Sequence, residues 1–485
     1  MNKQFWKSRQ VSHAGTMTAL TVLVLALFYL VNTVLLALAD HYGWYFYTTE
    51  QYDLTPGDAS DALLSEIDTE QNQIEILFCD TEENISSHRQ LDFVYRTAVA
   101  LRDRHPDLIR ISFVNLWLEP SRLDPYRYDE EGEMRTFGSD TVIVDNGGNY
   151  LINSPSSFYI LDESNYVVAY NGEETLTANI LWVTSSRHPV AYFTSNHGEE
   201  IPASLYRILT YAGYRVDRLD LSAVAEVPED AGLVLISAPV YDFQKSAAGS
   251  SYVSELNKLA SYLAGGGSLY VSLSPEHASR QPNLCAFLSE YGLTAEAGTL
   301  NDATNALPGS GGYTLLLEYA SEGLGATLGA RVSADGRRPV LSQALPLRVG
   351  EGTLGRAEAL LQTASGAVIL SGNGETVSAG ATPVMALSRL KEGGGRILLT
   401  GSVYLAADDI INGESYANRE LLYALLEELG AGKNPSGIPM VMVDRSAVEN
   451  LTMGEANLYT FCMAAAIPAV LLCGGLIYCR RRKNH

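Results

Sequence analysis

This chain lacks the motifs by which a single polypeptide most often announces its chemistry. Gly-x-x-x-x-Gly-Lys-Ser/Thr occurs nowhere in its 485 residues, so no P-loop cradles nucleotide phosphates and any ATP hydrolysis belongs to another polypeptide. A His-Glu-x-x-His zinc pair, a Cys-x-x-Cys pair and a Gly-x-Ser-x-Gly nucleophile elbow are equally missing, which removes three common enzyme signatures. Triads defined by geometry alone can still hide from sequence. Cysteine is scarce, with five in all. Cys462, Cys473 and Cys479 share one apolar run, whereas Cys79 and Cys285 each fall on an apolar strand or helix pattern. Two isolated cysteines make no disulfide framework, and two separate buried thiols are expected.

Positive charge is the other scarcity. Lys and Arg number 33 against 56 Asp and Glu. Seven of the basic residues lie at the two extremities, and every acidic one lies between two charge-free runs, so 26 basic face 56 acidic residues there, a balance of −30. Such a surface repels nucleic acid and anionic headgroups, which need clustered Lys and Arg. It reads first as a solvated, extracytoplasmic surface.

The charge-free runs are what the sequence does offer. Residues 17–39 follow Lys3, Lys7 and Arg9, and residues 457–479 precede Arg480, Arg481, Arg482 and Lys483. Each is near the ~20 residues that a helix needs to cross a bilayer. Basic flanks stay on the cytoplasmic side. The expectation is a two-pass protein of the plasma membrane with a cytoplasmic tail at 1–16, a basic cytoplasmic tail at 480–485 and a large extracytoplasmic body. A cleaved signal peptide is the alternative for the first run, because Ala37-Leu38-Ala39 suits a cleavage site; its length exceeds a normal signal core. Trp44, Tyr45, Phe46 and Tyr47 then form an aromatic belt.

Within the body the pattern is α/β. Ile74–Phe78 and Ile109–Trp117 read as strands around a helix whose Leu91, Val94, Tyr95, Ala98 and Leu101 recur at helical spacing, a βαβ unit that implies a parallel, covered sheet. Strands at 141–145, 150–153 and 157–161 follow, with Asn146-Gly147-Gly148 as a hairpin turn. Residues 40–185 are thus expected to form a small α/β domain. From Pro189 a second α/β series begins: strands at 190–195, 216–221, 232–238, 268–274 and 396–401 alternate with helices at 205–212, 252–264 and 418–429. Residues 186–432 read as a larger flavodoxin/Rossmann-like domain, interrupted at about 298–385 by a β-rich insertion, and 433–456 as the linker back to the membrane.

The most site-like element is His197-Gly198-Glu199-Glu200, at the carboxyl end of a predicted parallel strand. Open α/β sheets bind ligands at that edge. The imidazole and nearby carboxylate allow a ligand or metal contact, while the bland reading has them satisfying backbone groups of a strand-to-helix turn. No metal ligand set and no cofactor is assigned, and no residue is assigned as catalytic. Thr55 before Pro56 reads as a helix cap, with Asp53 and Thr55 also candidates for a partner contact. Asn418 is expected to cap its helix, and Asp408 and Asp409 to be solvated charges or cation ligands. Gly265–Gly267 and Gly393–Gly395 follow helix-like segments and are expected to form C-caps and tight turns rather than phosphate loops. Pro468 should kink the second apolar run, and Gly474-Gly475 would let another helix approach closely.

Several of these features together resemble the auxiliary, substrate-binding-like component of gliding-motility-type ABC transport systems, the GldG-like family. The markers are the N-terminal run followed by Tyr52-Asp53-Leu54-Thr55, the 190–195 strand entering His197-Gly198-Glu199, Gly265-Gly266-Gly267 with Ser268–Ser274, the 396–402 strand with Asn418, and a final run containing Ile467-Pro468 that ends in Arg480-Arg481-Arg482-Lys483. The family pattern is Gly-His-Gly-Glu, and Asn196 replaces its first glycine here. The resemblance implies a non-ATPase, non-enzymatic membrane subunit accompanying a permease and a separate ATPase; Pro468, Gly474 and Gly475 are then candidates to contact a permease helix, with lipid-facing positions the alternative, gliding motility does not follow, and the ligand stays unnamed. The competing readings are a cell-surface hydrolase or amidotransferase-like enzyme using His197 and Glu199, and an extracytoplasmic sensor or adhesin.

Overall fold

Short apolar strands alternating with amphipathic helices build a mixed α/β body with several sheets. The computed structural model describes residues 54–443 except 89, 130–131, 162–165, 246–252, 373–374 and 414. The apolar runs at 17–39 and 457–479, the aromatic belt, Asp53, Pro468, Gly474 and Gly475 lie outside the described residues. Among the described residues no helix is long and apolar enough to cross a membrane.

The first region opens with helix α1 (Asp58–Ser65), strand β1 (Ile74–Phe78), helices α2 (Glu82–Ser87) and α3 (Leu91–Arg104), and strand β2 (Ile109–Phe113). It continues through β3 (Val142–Asp145), β4 (Tyr150–Asn153), β5 (Tyr159–Leu161), β6 (Val167–Tyr170) and helix α4 (Gly172–Thr184). The sheet order is β2-β1-β3-β4. The expected βαβ unit is there, since β1 and β2 pair in parallel. The sheet as a whole is mixed, because β3 and β4 run antiparallel. Their turn is fixed by Asn146, whose side-chain oxygen accepts the N–H groups of Gly148 and Asn149 at 2.9 and 2.8 Å. The apolar stripe of α3 packs Leu91, Val94, Ala98 and Leu101 onto Ile74, Ile76 and Ile109, as a 3.6-residue period requires.

Two expectations fail here because side chains bond backbone groups in ways the pattern did not show, one from a distant helix and one from within the segment itself. Thr55 is exposed and is not the N-cap of α1, which starts at Asp58 with Gly57 as its N-cap. The Glu173 carboxylate on α4 accepts the Gly57 N–H at 2.7 Å and the Ser60 hydroxyl instead. Strand β2 stops at Phe113 rather than Trp117, because the Asn115 side chain captures the N–H groups of Trp117 and Leu118 and turns the chain away.

The second region carries β7 (Val190–Thr194), helix α5 (Ala203–Tyr211), β8 (Arg215–Leu219), β9 (Ala231–Ser237), helix α6 (Glu255–Ala264), β10 (Ser268–Ser272) and helix α7 (Pro282–Glu290). Short strands β11 (Leu293–Ala295), β12 (Thr299–Asn301), β13 (Thr314–Leu316) and β14 (Glu318–Tyr319) come next, then helix α8 (Gly323–Val332), β15 (Val340–Ser342) and β16 (Leu347–Val349). The chain goes on through β17 (Gly355–Gln362), β18 (Val368–Leu370), β19 (Thr376–Ser378), β20 (Pro383–Leu390), β21 (Arg396–Thr400), helices α9 (Asp408–Ile411) and α10 (Asn418–Glu428), and β22 (Val441–Met442). The eight-stranded sheet has the order β14-β17-β20-β21-β10-β9-β7-β8. Strands β8, β7, β9, β10 and β21 are mutually parallel, and β20, β17 and β14 extend the sheet antiparallel. Strands β10 and β21 are almost wholly buried, which explains their near-continuous apolar composition.

The stretch at 298–385 is more integrated than a β-rich insertion suggests. Its long strand β17 is part of the main sheet, where it pairs with β20 at the stretch's end, and it contains helix α8. Glycine hid that helix from a periodicity reading, yet glycine is what the packing needs. A Cβ at Gly325 would stand 3.0 Å from the Leu360 carbonyl, and one at Gly329 would stand 2.9 Å from the Tyr319 ring. Gly265–Gly267 does end α6, with Gly266 at φ 94°. Gly393–Gly395 forms a tight turn between antiparallel β20 and β21, with Gly393 and Gly394 at φ 83° and 78°. The start of the expected linker is structured too: Ile438 and Met440 are buried, and β22 pairs with β6 of the first region.

Candidate functional site

The loop after β7 is where the sequence placed its strongest candidate. Asn196 and Gly198 both adopt left-handed backbone, at φ 75° and 73°. Asparagine tolerates that region better than other residues with a Cβ, so Asn196 is accommodated at this left-handed position. The two left-handed residues throw the side chain of His197 inward. It is 5% exposed and stacks on Phe243, from the loop after β9, at 3.9 Å between ring centroids and 11° between planes.

Both ring nitrogens face acceptors. Nδ1 lies 3.2 Å from the Ser195 carbonyl and 3.5 Å from Oε1 of Glu199, and Nε2 lies 3.3 Å from Oε2 of Glu255, the first residue of α6. A neutral imidazole carries one N–H and leaves one of those ends without a donor; the imidazolium serves both. Burial works against that charge, but the Glu199 and Glu255 carboxylates outweigh it and hold the His197 pKa above its ordinary value. The same balance acts on Glu199, where burial is outweighed by His197 and by backbone N–H groups, and its pKa is lowered.

The carboxylates are anchored in turn. Glu199 accepts the His197 N–H at 2.9 Å, and Glu255 accepts the Gln244 N–H at 2.7 Å. The His197 carbonyl accepts the N–H groups of Val240 and Tyr241 at 2.8 and 2.9 Å. Glu200 has an exposed side chain, but its N–H bonds the Ser237 carbonyl at 3.0 Å and laces the loop to the end of β9. Gly198 is exposed, and a Cβ there would crowd Val240 at 3.1 Å. Four residues read together in the sequence thus divide: His197 and Glu199 point in, Gly198 and Glu200 face out.

This arrangement occupies the crevice between β7 and β9, where the strand order reverses and where open α/β sheets hold ligands. Here the crevice is filled by the chain's own His197 and Phe243. The geometry favours a cross-link over a metal site, because opposite ends of one ring go to different carboxylates. Among the described residues no group of three or more His, Cys, Asp or Glu is placed to hold a metal ion. Phe243 and Glu255 escaped sequence reading. An acidic residue just after Ser254, which caps α6, is ordinary at a helix start and gives no hint of a histidine 58 positions earlier.

Other candidates resolve as structure. Asp408 accepts the Ser204 N–H at 3.1 Å and the Ser204 hydroxyl, so it caps α5 from a distant part of the chain. Asn418 is not the cap of α10, whose N-cap is Ala417. Its side chain instead grips the Val340 N–H and carbonyl at 2.8 and 2.7 Å and the Leu405 carbonyl at 3.0 Å. Cys79 and Cys285 are separate free thiols, the first buried and the second half-buried; burial, with Asp140 nearby, pushes the Cys79 thiol up to about 12. Both are inert by this measure.

A buried polar network missed by the sequence joins the two regions. Tyr423 on α10 donates to Glu174 on α4 at 2.9 Å, and Arg419 stands 3.8 Å from the same carboxylate. Arg419 also meets Glu420 at 3.4 Å and the Ile438 carbonyl at 3.1 Å. Near the carboxyl end of α4, a cleft of about 320 Å³ is lined by Glu66, Trp182, Arg187, Tyr211 and Lys433, among others. The Glu66–Lys433 ion pair lies in its lining.

No family model matches the chain, and no curated protein matches it. Among solved structures it is similar to the mmIFT52 N-terminal domain, with a TM-score of 0.40 and 19% identity over 50% of this chain and 98% of that one. It is also similar to the cytoplasmic protein STM3548 from Salmonella typhimurium, with a TM-score of 0.30 and 12% identity over 50% of this chain and 100% of that one. A third likeness is to the exo-β-1,4-mannosidase Op5Man5 from Opitutaceae bacterium strain TAV5, with a TM-score of 0.26 and 11% identity over 74% of this chain and 52% of that one. Likenesses this weak bear on neither family nor activity.

Proposed function

We propose that the chain is a non-catalytic, membrane-anchored auxiliary subunit of an ABC-type transport system. In this reading residues 17–39 and 457–479 cross the plasma membrane with both termini cytoplasmic, and the helices dock on a permease. The acidic extracytoplasmic body binds a ligand or partner, while a separate ATPase supplies the work. The observation that carries the proposal is the closure of the β7/β9 crevice. A general base must present a free nitrogen to a substrate or nucleophile, whereas His197 has both nitrogens turned to carboxylates or a carbonyl and its face against Phe243. That counts against a catalytic base at His197 and so against the hydrolase reading.

The parallel strand order, numbered along the chain as 2-1-3-4-5, supports the flavodoxin/Rossmann-like assignment of the second region. The GldG-like markers in the sequence, the missing P-loop and the basic flanks of the two apolar runs support the subunit role. Purification of the native membrane complex in mild detergent tests it: a permease and an ATPase are expected to co-elute with the chain. Recovery of the chain with neither partner overturns the proposal. An unaltered transport phenotype in a folded His197→Ala variant would separately count against the enzyme reading.

A further inference from the structure

The first region holds an apolar feature far in sequence from His197 and its partners. Trp117 and Leu118, adjacent in sequence, are 93% and 80% exposed. They are not on a frayed segment. The Asn115 side chain accepts both of their N–H groups, at 2.9 and 3.2 Å, and the Asn115 carbonyl accepts that of Glu119 at 2.9 Å. The 3₁₀ turn that follows, Pro120–Tyr126, is anchored through Leu123 and Tyr126, which are buried with Leu77 and Ile143. The fold therefore holds an indole and an isobutyl group rigidly in the open, and such preorganisation lowers the cost of burying them in something else. Charges around the turn are matched internally, Arg122 with Glu75 and Glu119 and Arg127 with Asp124.

The position of this turn narrows what covers it. Asn146, just beyond the end of β3 that pairs with the start of β1, bonds the Val183 carbonyl at the carboxyl end of α4. Helix α4, about 20 Å long, therefore begins at the opposite end of the sheet, the carboxyl end of β1 and β2. Gly57 bonds Glu173 there, so the chain enters the described body at that end. Val441 pairs with Tyr170, two residues before α4 starts, so the chain leaves from the same end. The Asn115–Leu118 turn follows β2 at that end too. Only residues 40–53 and 444–456 separate these points from the two apolar runs, tethers of roughly 50 Å even when fully extended.

We infer that the Trp117–Leu118 turn is a third membrane contact, inserting into the interfacial layer of a zwitterionic bilayer beside the points where the chain leaves for its two spans. Tryptophan favours that layer because its ring is apolar while its N–H stays hydrated. The −30 balance of the body and the pairing of Arg122 and Arg127 with carboxylates direct it to neutral rather than anionic headgroups. The inference rests on the two-span reading above, and its test separates the two.

The full-length chain with Trp6→Phe, Trp44→Phe and Trp182→Phe retains Trp117 as its sole tryptophan. It is placed in phosphatidylcholine nanodiscs whose acyl chains are brominated near the headgroup. Trp117 emission is expected to be blue-shifted and to lose most of its intensity relative to unbrominated discs. A chain retaining only Trp182, at the far end of α4, should keep its emission in both. The difference in quenching between the otherwise native chain and Trp117→Phe supplies the same reading without the triple substitution. If the chain co-elutes with nanodiscs and Trp117 is unquenched, the membrane contact is overturned while the spans stand. Shielding of Trp117 from aqueous iodide only after permease and ATPase are added would overturn it in favour of a protein partner. A chain that does not enter nanodiscs overturns both readings.

Discussion

After β2 the chain turns at Asn115 and holds Trp117 and Leu118 out in solvent; after β7 it turns at Asn196 and draws His197 into the sheet. Both loops leave the carboxyl end of a parallel strand, the edge at which α/β proteins usually build sites. One presents a rigid apolar knob and the other closes a crevice. The position of a loop on the fold thus says where a site is possible, and only the side-chain bonding says whether the edge is open. In this protein the outward-facing loop belongs to the small mixed sheet, and the sealed one to the large sheet whose central strands are covered on both faces.

That contrast is easiest to break where the two regions are joined. Arg419→Ala leaves the Glu174 carboxylate buried without its countercharge, and a loss of about 3–5 kcal/mol is expected in urea unfolding. The two regions should then melt in separable steps by calorimetry. A single transition with an unchanged midpoint would mean that the network does not couple them. The clasp comes next. His197→Ala removes a buried donor to two carboxylates and should cost about 1–3 kcal/mol.

Its pH dependence has a definite sign. The His197 pKa is raised in the folded chain above its ordinary 6.5, so its contribution is complete below that value and is lost as pH rises through the folded value. The Glu199 pKa is lowered from 4.5, so its contribution is complete above that value and is lost as pH falls through the folded value. The stability advantage of the native chain over His197→Ala should therefore be widest between these two ordinary values and shrink on the alkaline side. An advantage that grew from pH 6 to 8 would contradict the imidazolium assignment.

Smaller effects sharpen the loop comparison. Asn196→Ala forces a Cβ-bearing residue with no local hydrogen-bonding side chain into left-handed backbone and should cost about 1–2 kcal/mol, whereas Asn196→Gly should be close to neutral. Equal midpoints for the two variants in urea would show that the turn tolerates any residue. Trp117→Ser should change unfolding least of all, within about 0.5 kcal/mol, as expected for a side chain with no packing partners. A larger loss would mean that the indole supports the fold after all.

Legibility followed the range of the interactions. β1, the α3 stripe, the helix end at Gly265–Gly267, and the alternation from β7 to β10 are set by neighbours three to five residues apart, and periodicity finds them. The caps of α1, α5 and α10 were misread or missed because Glu173, Asp408 and the Asn418 side chain act across the fold. Helix α8 was lost because Gly325 and Gly329, unfavourable locally, are required for close packing on β17 and β14. His197 was found by its place after a strand, but its two long-range partners, Phe243 and Glu255, carry no local mark.

By itself the sequence determined the alternation of strands and helices, the strongly acidic balance of the body and the lack of a P-loop motif, since each depends only on composition or on residues close along the chain. The tertiary structure alone decided that the crevice beside β7 is closed, that Trp117 stands free, and that Arg419 and Glu174 join the two regions. Those outcomes depend on which distant groups arrive within bonding distance, and no local pattern encodes that.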